Sequence, residues 1–399
     1  MNTEELDRLL LAMINFADGI SDLLFVAGRP LQVEVEGDLK PFVSEQSEPM
    51  LTSERIEGLA MAIINNNQRL LQDLKEHGSC DCGYTLKNTC RFRVNIYFQN
   101  GNYAMVLRYL KPLIPSFESL HFAPVFHDII KEKSGLIFVT GGTGKGKTTT
   151  IAAMLNEINK TRNVHIITLE DPIEFLFKPI RCTFSQRELG LDFFDYHDGM
   201  RAAMRQSPKI IFIGEIRDRE TMEIVLNAGE TGHLVLSTLQ SATASGAINR
   251  ILGMFSGDEE HAVRERLAGS MRFILSQRLI PANTGGRLLV TELMGNSMRT
   301  REAILLGENE NRQLEDIIEA GGASGWHTFE QSLIKACEQD LITKETALLY
   351  CSNKMRMLQR IDNLYLNSAK NSAVNAPELM DLRMREEETA ARIRGQPQS

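Results

Sequence analysis

Cysteine is scarce in this 399-residue chain, with six in all at Cys80, Cys82, Cys90, Cys182, Cys337 and Cys351. So few at this length suit reduced thiols rather than a disulfide scaffold. Cys80-Asp81-Cys82 with Cys90 is the one sequence cluster, but C-x-C lacks the usual zinc-ligand spacing and no fourth ligand accompanies it. These cysteines read as structural. Long apolar runs are missing too: the longest reach about half a dozen residues, where a helix crossing a bilayer needs about 20. No transmembrane segment is expected, and no apolar signal core follows the acidic start Met1-Asn2-Thr3-Glu4-Glu5. Runs of Lys or Arg never exceed two, and 44 Lys+Arg against 52 Asp+Glu leave a net charge of −8. Proteins that hold a nucleic-acid backbone tend to be basic or to carry a basic stripe, so nucleic acid is not expected as a partner. What remains is a soluble cytoplasmic chain of ordinary globular composition, 43% hydrophobic and 24% charged.

Residues 1–110 read as a mixed α+β unit. Leu6, Leu9, Leu10, Met13 and Ile14 fall at helical spacing over Glu5–Asn15. Leu31, Val33 and Val35 alternate with polar residues and run into Gly37-Asp38, a strand ending in a turn. A second helix is expected from an N-cap at Ser53 through Ile64. Two further strands flank Asn100-Gly101, a strong hairpin signal. After a linker carrying Pro112 and Pro115, short apolar strands alternate with helices: Leu136–Thr140, Val164–Leu169, Ile210–Gly214 and Leu234–Thr238. That alternation predicts a parallel sheet covered by helices, an α/β fold. Residues 300–366 read as helical throughout, and the polar tail beyond is expected to be mobile or an exposed helix.

Gly141-Gly142-Thr143-Gly144-Lys145-Gly146-Lys147-Thr148, followed by Thr149, satisfies G-x-x-x-x-G-K-[ST] between an expected strand and an expected helix. Glycines there let backbone N–H groups turn inward around phosphate oxygens, and the helix N-terminus adds partial positive charge. Lys147 is expected to reach the β- and γ-phosphates of ATP, and the Thr148 hydroxyl to coordinate Mg²⁺. The apolar run Ile210–Ile213 ends in Gly214-Glu215, which delivers Glu215 to the carboxyl edge of the sheet, where it could hold or polarise the attacking water. Another strand ends in Glu170-Asp171-Pro172-Ile173-Glu174. Glu170, Asp171 and Glu174 either coordinate Mg²⁺ and its water or cap the turn that Asp-Pro begins. His233, ahead of Leu234–Thr238, either senses the γ-phosphate or caps a strand.

The hairpin permits a register test. With Asn100-Gly101 as the loop, Gln99 faces Asn102 and Arg93 lies opposite Arg108. Like charges opposed on a sheet repel, so the pair either shares an anion, since arginine forks suit phosphate oxygens, or pairs in another register or snorkels into solvent. Both belong to the first unit and would meet a nucleotide across a domain or subunit boundary.

Taken together, the phosphate loop, Ile167–Phe175, Gln186-Arg187-Glu188-Leu189-Gly190, Gly214-Glu215-Ile216-Arg217-Asp218 and Glu230-Thr231-Gly232-His233-Leu234 occur in a specific order and spacing. Ser21-Asp22-Leu23 and Arg91-Phe92-Arg93-Val94-Asn95 precede them. Over residues 3–360 the chain resembles the type IV pilus retraction (twitching motility) ATPases of the type II/IV secretion ATPase superfamily. The resemblance implies a PAS-like N-terminal domain (1–111), a linker (112–133), and a RecA-like ATPase domain with C-terminal helices (134–366), followed by the 367–399 tail. It also implies ATP with Mg²⁺ at the junction of the two domains and a ring of six subunits. The partners it implies are an inner-membrane pilus platform protein and a paralogous pilus ATPase, with the ring at the cytoplasmic face. Lys147 and Thr148 match the Walker A pair, Glu215 the Walker B glutamate, and Glu170, Asp171 and Glu174 the acidic box. His233 matches the histidine box, Arg93 and Arg108 the N-domain arginines, and Arg201 and Arg205 the arginines ahead of the Walker B strand. The sequence departs from the family at Lys209, usually aspartate, and at Gln240, usually histidine; the segment Arg299–Leu306 matches the retraction motif only loosely. Alternatives are a catalytically weak accessory ring subunit and a pilus-assembly or type II secretion ATPase, though the latter usually carries a four-cysteine zinc insert absent here.

Overall fold

The computed structural model describes residues 3–43, 50–86, 89–110, 113–362 and 364. The tail over 367–399 lies outside the described residues. Alternation of apolar and polar residues builds the first sheet from β1 (Ile20–Val26), β2 (Gln32–Val35), β3 (Asp38–Pro41), β4 (Ser79–Leu86), β5 (Cys90–Gln99) and β6 (Asn102–Leu110). All neighbours pair antiparallel in the order β3-β2-β1-β6-β5-β4. One face is apolar: Phe92, Val94 and Ile96 pack with Leu10, Ile56 and Leu74 from the helices Thr3–Ile14, Ser53–Ile64 and Gln68–His77. Cys80, Cys82 and Cys90 join this core as free thiols. Burial pushes their pKa values up, to about 11, 12 and 11, as befits inert packing residues. The second helix is capped by Thr52, whose side chain accepts from the Arg55 amide. Ser53 instead donates to Asn102, at 2.7 Å, so the cap falls one residue earlier than the sequence pattern implied.

The hairpin forms as its loop predicts: Gln99 pairs with Asn102 and Arg93 lies directly opposite Arg108. Because β-strand side chains alternate between faces, these arginines stand on the face away from the helices.

The second sheet contains β7 (Gly135–Thr140), β8 (His165–Glu170), β9 (Thr183–Glu188), β10 (Ile210–Ile213), β11 (Leu234–Leu239), β12 (Met271–Pro281) and β13 (Arg287–Gly295). Its order is β13-β12-β7-β11-β10-β8-β9, parallel throughout except for the antiparallel β12–β13 hairpin. β7, β10 and β11 are buried at every residue, because helices cover both faces of a parallel sheet and leave no strand side for water. The carboxyl ends of β7, β8, β10 and β11 therefore share one edge. Beyond the sheet, residues 300–366 are not continuously helical: Met298–Leu306, Leu314–Ala320, Phe329–Glu338 and Lys344–Tyr350 are separate short helices. Gly307, at φ +78°, takes the backbone shape that ends the first of them.

Candidate functional site

The turn leaving β7 depends on its glycines. At Gly141 a Cβ would lie 2.8 Å from the Gln277 carbonyl oxygen, and Gly144 and Gly146 sit at φ +72° and +82°. Gly146 opens the helix Lys147–Thr161 with no side-chain cap, so the first-turn amides are available to an anion. Gln277 steadies the loop from β12 by donating to the Lys145 carbonyl at 2.7 Å. The Lys147 ammonium donates to the carbonyls of Gly141 (2.8 Å) and Gly142 (3.1 Å). Burial depresses its pKa, and the carboxylates of Glu215 and Glu174 work in the opposite direction.

A cavity of about 590 Å³ opens here, within the size range of small-molecule sites. Thr143 through Thr149 form its floor, Glu170, Asp171 and Glu174 one wall, and Glu215 another. Glu215 extends from the end of β10 and is held by two donors, Arg217 and Gln240, each at 2.7 Å. Burial opposes its charge, but those bonds and the nearby cations outweigh it and hold the carboxyl below its ordinary range. Glu170 differs. It is 3% exposed, its carboxyl accepts from the Thr168 hydroxyl at 2.7 Å, and burial pushes its pKa up to about 7. Glu174 is also raised by burial, against the Thr148 hydroxyl bond and the charges of Arg93, Arg108 and Lys147. Asp171 is exposed at the cavity wall.

The first sheet contributes Arg93, which lines the cavity. Arg108 does not; its Nε donates to Asp22 Oδ1 at 3.0 Å from the adjacent strand β1. The opposed arginines are real, and Asp22 offsets part of their repulsion from the adjacent strand; the charges of both still act on Glu174 at the cavity wall.

Three expected residues fall elsewhere. His233 precedes β11, whose first residue pairs with Gly135 at the amino end of β7, the edge away from the phosphate loop. Its ring nitrogen lies 3.3 Å from both the Ala228 carbonyl and the Thr231 hydroxyl, so within this chain it closes the end of the helix Arg219–Glu230 and does not line the cavity. Arg201 and Arg205 are exposed around the end of the helix Tyr196–Ala203 and do not line the cavity. Lys209 lies at that same far edge, its amide donating to the His165 carbonyl at 2.9 Å. Of the two departures, only Gln240 is in the site.

The β12–β13 hairpin, absent from the sequence reading, adds Gln277, Leu279, Arg287 and Leu289 to the cavity lining. The run Leu288-Leu289-Val290-Thr291 after Gly285-Gly286 carries its signal. Arg217, within Gly214-Glu215-Ile216-Arg217-Asp218, also lines the cavity.

A glycine-rich loop between a parallel strand and a helix, with carboxylates at adjoining strand ends, defines a P-loop ATPase of RecA-like architecture. The family model described as "Type II/IV secretion system protein" matches residues 85–285. The chain belongs to the type II/IV secretion ATPase family. It is similar to the type IV pilus retraction ATPase PilT of Pseudomonas aeruginosa, 36% identical over 329 residues, which cover 82% of this chain and 93% of PilT. The type IV pilus ATPase PilU of the same organism is 34% identical over 360 residues, 90% of this chain and 92% of PilU. Among solved structures, the pilus retraction motor PilT with bound ADP superposes with a TM-score of 0.79 at 36% identity, over 89% of this chain and 98% of that one. The Legionella pneumophila ATPase DotB does so with a TM-score of 0.76 at 26% identity, over 88% and 95%.

Proposed function

We propose that this chain is a motor that converts ATP hydrolysis into type IV pilus retraction. The observation that carries the reading is one cavity uniting the phosphate loop, Glu215 and, from the other sheet, Arg93. Loop amides and Lys147 would hold the phosphates, and Glu215, fixed by Arg217 and Gln240, would orient the attacking water and take its proton. Arg93 would meet charge developing on the transferred phosphoryl group. Mg²⁺ suits the hard oxygen donors Thr148, Asp171 and Glu174, and when bound supplies charge neutralisation for the phosphates. Glu170, buried and accepting from the Thr168 hydroxyl, suits a hydrogen-bond partner of bound water better than a direct ligand.

We take residues 1–111 and 134–366 as two domains, six copies of which form a ring at the cytoplasmic face of the inner membrane. Such a ring would dock to the pilus platform protein, alongside a paralogous pilus ATPase. Matches that span nearly all of PilT and PilU support the retraction reading over secretion, since the match to the type II secretion protein E of Xanthomonas campestris covers 26% of that protein. Among the described residues no helix is long and apolar enough to cross a membrane, which accords with peripheral attachment. The test is ATP hydrolysis with and without Mg²⁺, with the size of the assembly measured beside it. The wild type should turn over only with Mg²⁺, and Lys147→Ala should lose roughly 10³-fold or more in rate, the scale of a charged transition-state donor. Equal rates in the two proteins would refute the assignment.

A further inference from the structure

The segment Gln186-Arg187-Glu188-Leu189-Gly190 takes no part in the chemistry above, yet Glu188 is 3% exposed at the end of β9. Its carboxylate accepts from the Gly83 amide in β4 (3.2 Å), the Ile173 amide (3.1 Å) and the guanidinium of Arg91 in β5. Arg91 also donates to the Ile173 carbonyl (3.0 Å) and the Thr85 hydroxyl (2.8 Å). Donors from the first sheet and from the acidic loop thus converge on one buried carboxylate. The fit is close: a Cβ on Gly83 would stand 2.7 Å from Glu188 Oε1.

What flanks this junction is the cavity. Arg93 follows Arg91 by two residues on the same face of β5, pairs with Gly83, and lines the cavity. Glu174 follows Ile173 and lines the same cavity beside Thr148. A buried ion pair adds little net stability compared with apolar packing of the same volume, so geometry is the better account of this one. We propose that Arg91 and Glu188 form a latch between the two sheets that sets where Arg93 and Glu174 stand over the phosphate loop. They are positioning residues for ATP hydrolysis. The inference rests on the ATPase reading above.

Full-length Glu188→Gln and Arg91→Lys test it. Glu188→Gln keeps size but removes the charge; Arg91→Lys keeps the charge but loses the fork that reaches Ile173 and Thr85. For both, kcat should fall by ~10- to 10²-fold while the ADP Kd stays within about threefold, because misplacement by about 1 Å is costly to turnover and the phosphate loop is untouched. Hydrogen exchange without nucleotide should quicken over residues 79–86 and 171–174, while β7, β10 and β11 keep their protection. Turnover within about twofold of wild type in both variants would overturn the latch. So would loss of ADP affinity and of protection in every strand, in step with turnover, which would make the pair a fold-stabilising contact. A wild type that hydrolyses no ATP would defeat the ATPase reading and the positioning role with it, and the exchange arm would still report whether the pair fastens the two segments.

Discussion

The two edges of the seven-stranded sheet are built from the same strands, yet the phosphate-loop cavity opens at one of them. At the carboxyl edge, the phosphate loop, Glu170, Asp171, Glu215 and Gln240 surround a cavity. At the amino edge stand His233 and Lys209, whose sequence neighbourhoods are just as distinctive. Parallel strands aim all their carboxyl ends, with the helix N-termini that follow them, to one side. A motif residue before a strand therefore belongs to the opposite edge from one after it, a distance of a whole strand away. Family motifs on one chain need not serve one cavity of that chain.

That contrast can be broken most sharply at Glu215. Glu215→Gln should bind ADP with unchanged affinity and hydrolyse ATP at least ~10²-fold more slowly, the scale of a lost positioned base; nucleotide titration beside a rate assay checks both. If binding disappears with the rate, the carboxyl edge owes its form to Glu215 rather than its chemistry.

Glu170 sharpens the comparison through pH. Its carboxyl stands at about 7 in the folded chain against 4.5 ordinarily, so the folded chain binds more protons than the unfolded one between those values. Its contribution to stability is fully present below pH 4.5 and is lost as pH rises through 7. Glu170→Gln, neutral throughout, should be more stable than wild type at pH 8 by up to ~3 kcal/mol, the gap closing toward pH 5. Melting curves across that range would show a gap constant with pH if the glutamate stays ionised.

A smaller effect is expected at the arginine from the other sheet that does not reach the cavity. Arg108 is 66% exposed and its partner Asp22 10%, so Arg108→Ala should cost up to about 1 kcal/mol. Denaturant midpoints decide the sign. A stabilised variant would mean that repulsion from Arg93 outweighs the bond to Asp22. Least of all should change at the amino edge: Lys209→Asp, His233→Ala and Arg205→Ala should each leave ADP affinity within about twofold, since surface changes away from a site seldom exceed ~0.5 kcal/mol. A larger loss in any of them would erase the distinction between the two edges.

By itself the sequence determined the elements whose cause is local. Period-two alternation and an Asn-Gly turn set the β5–β6 register to the residue, and placed Arg93 opposite Arg108. The glycine spacing of the phosphate loop and the apolar run before Glu215 located the cavity's floor and one wall, because backbone freedom and burial on both faces of a parallel sheet leave direct traces in residue type. The tertiary structure decided everything that depends on which distant groups meet. Asp22 neutralises Arg108 from a strand 86 residues away, Gln240 and Arg217 aim Glu215, the β12–β13 hairpin supplies a further wall, and Glu188 ties the sheets together. His233 was expelled from the cavity for the same reason. Hydrogen bonds and ion pairs act over a few ångströms, while the chain that brings their partners together runs for scores of residues, and no local pattern records that distance.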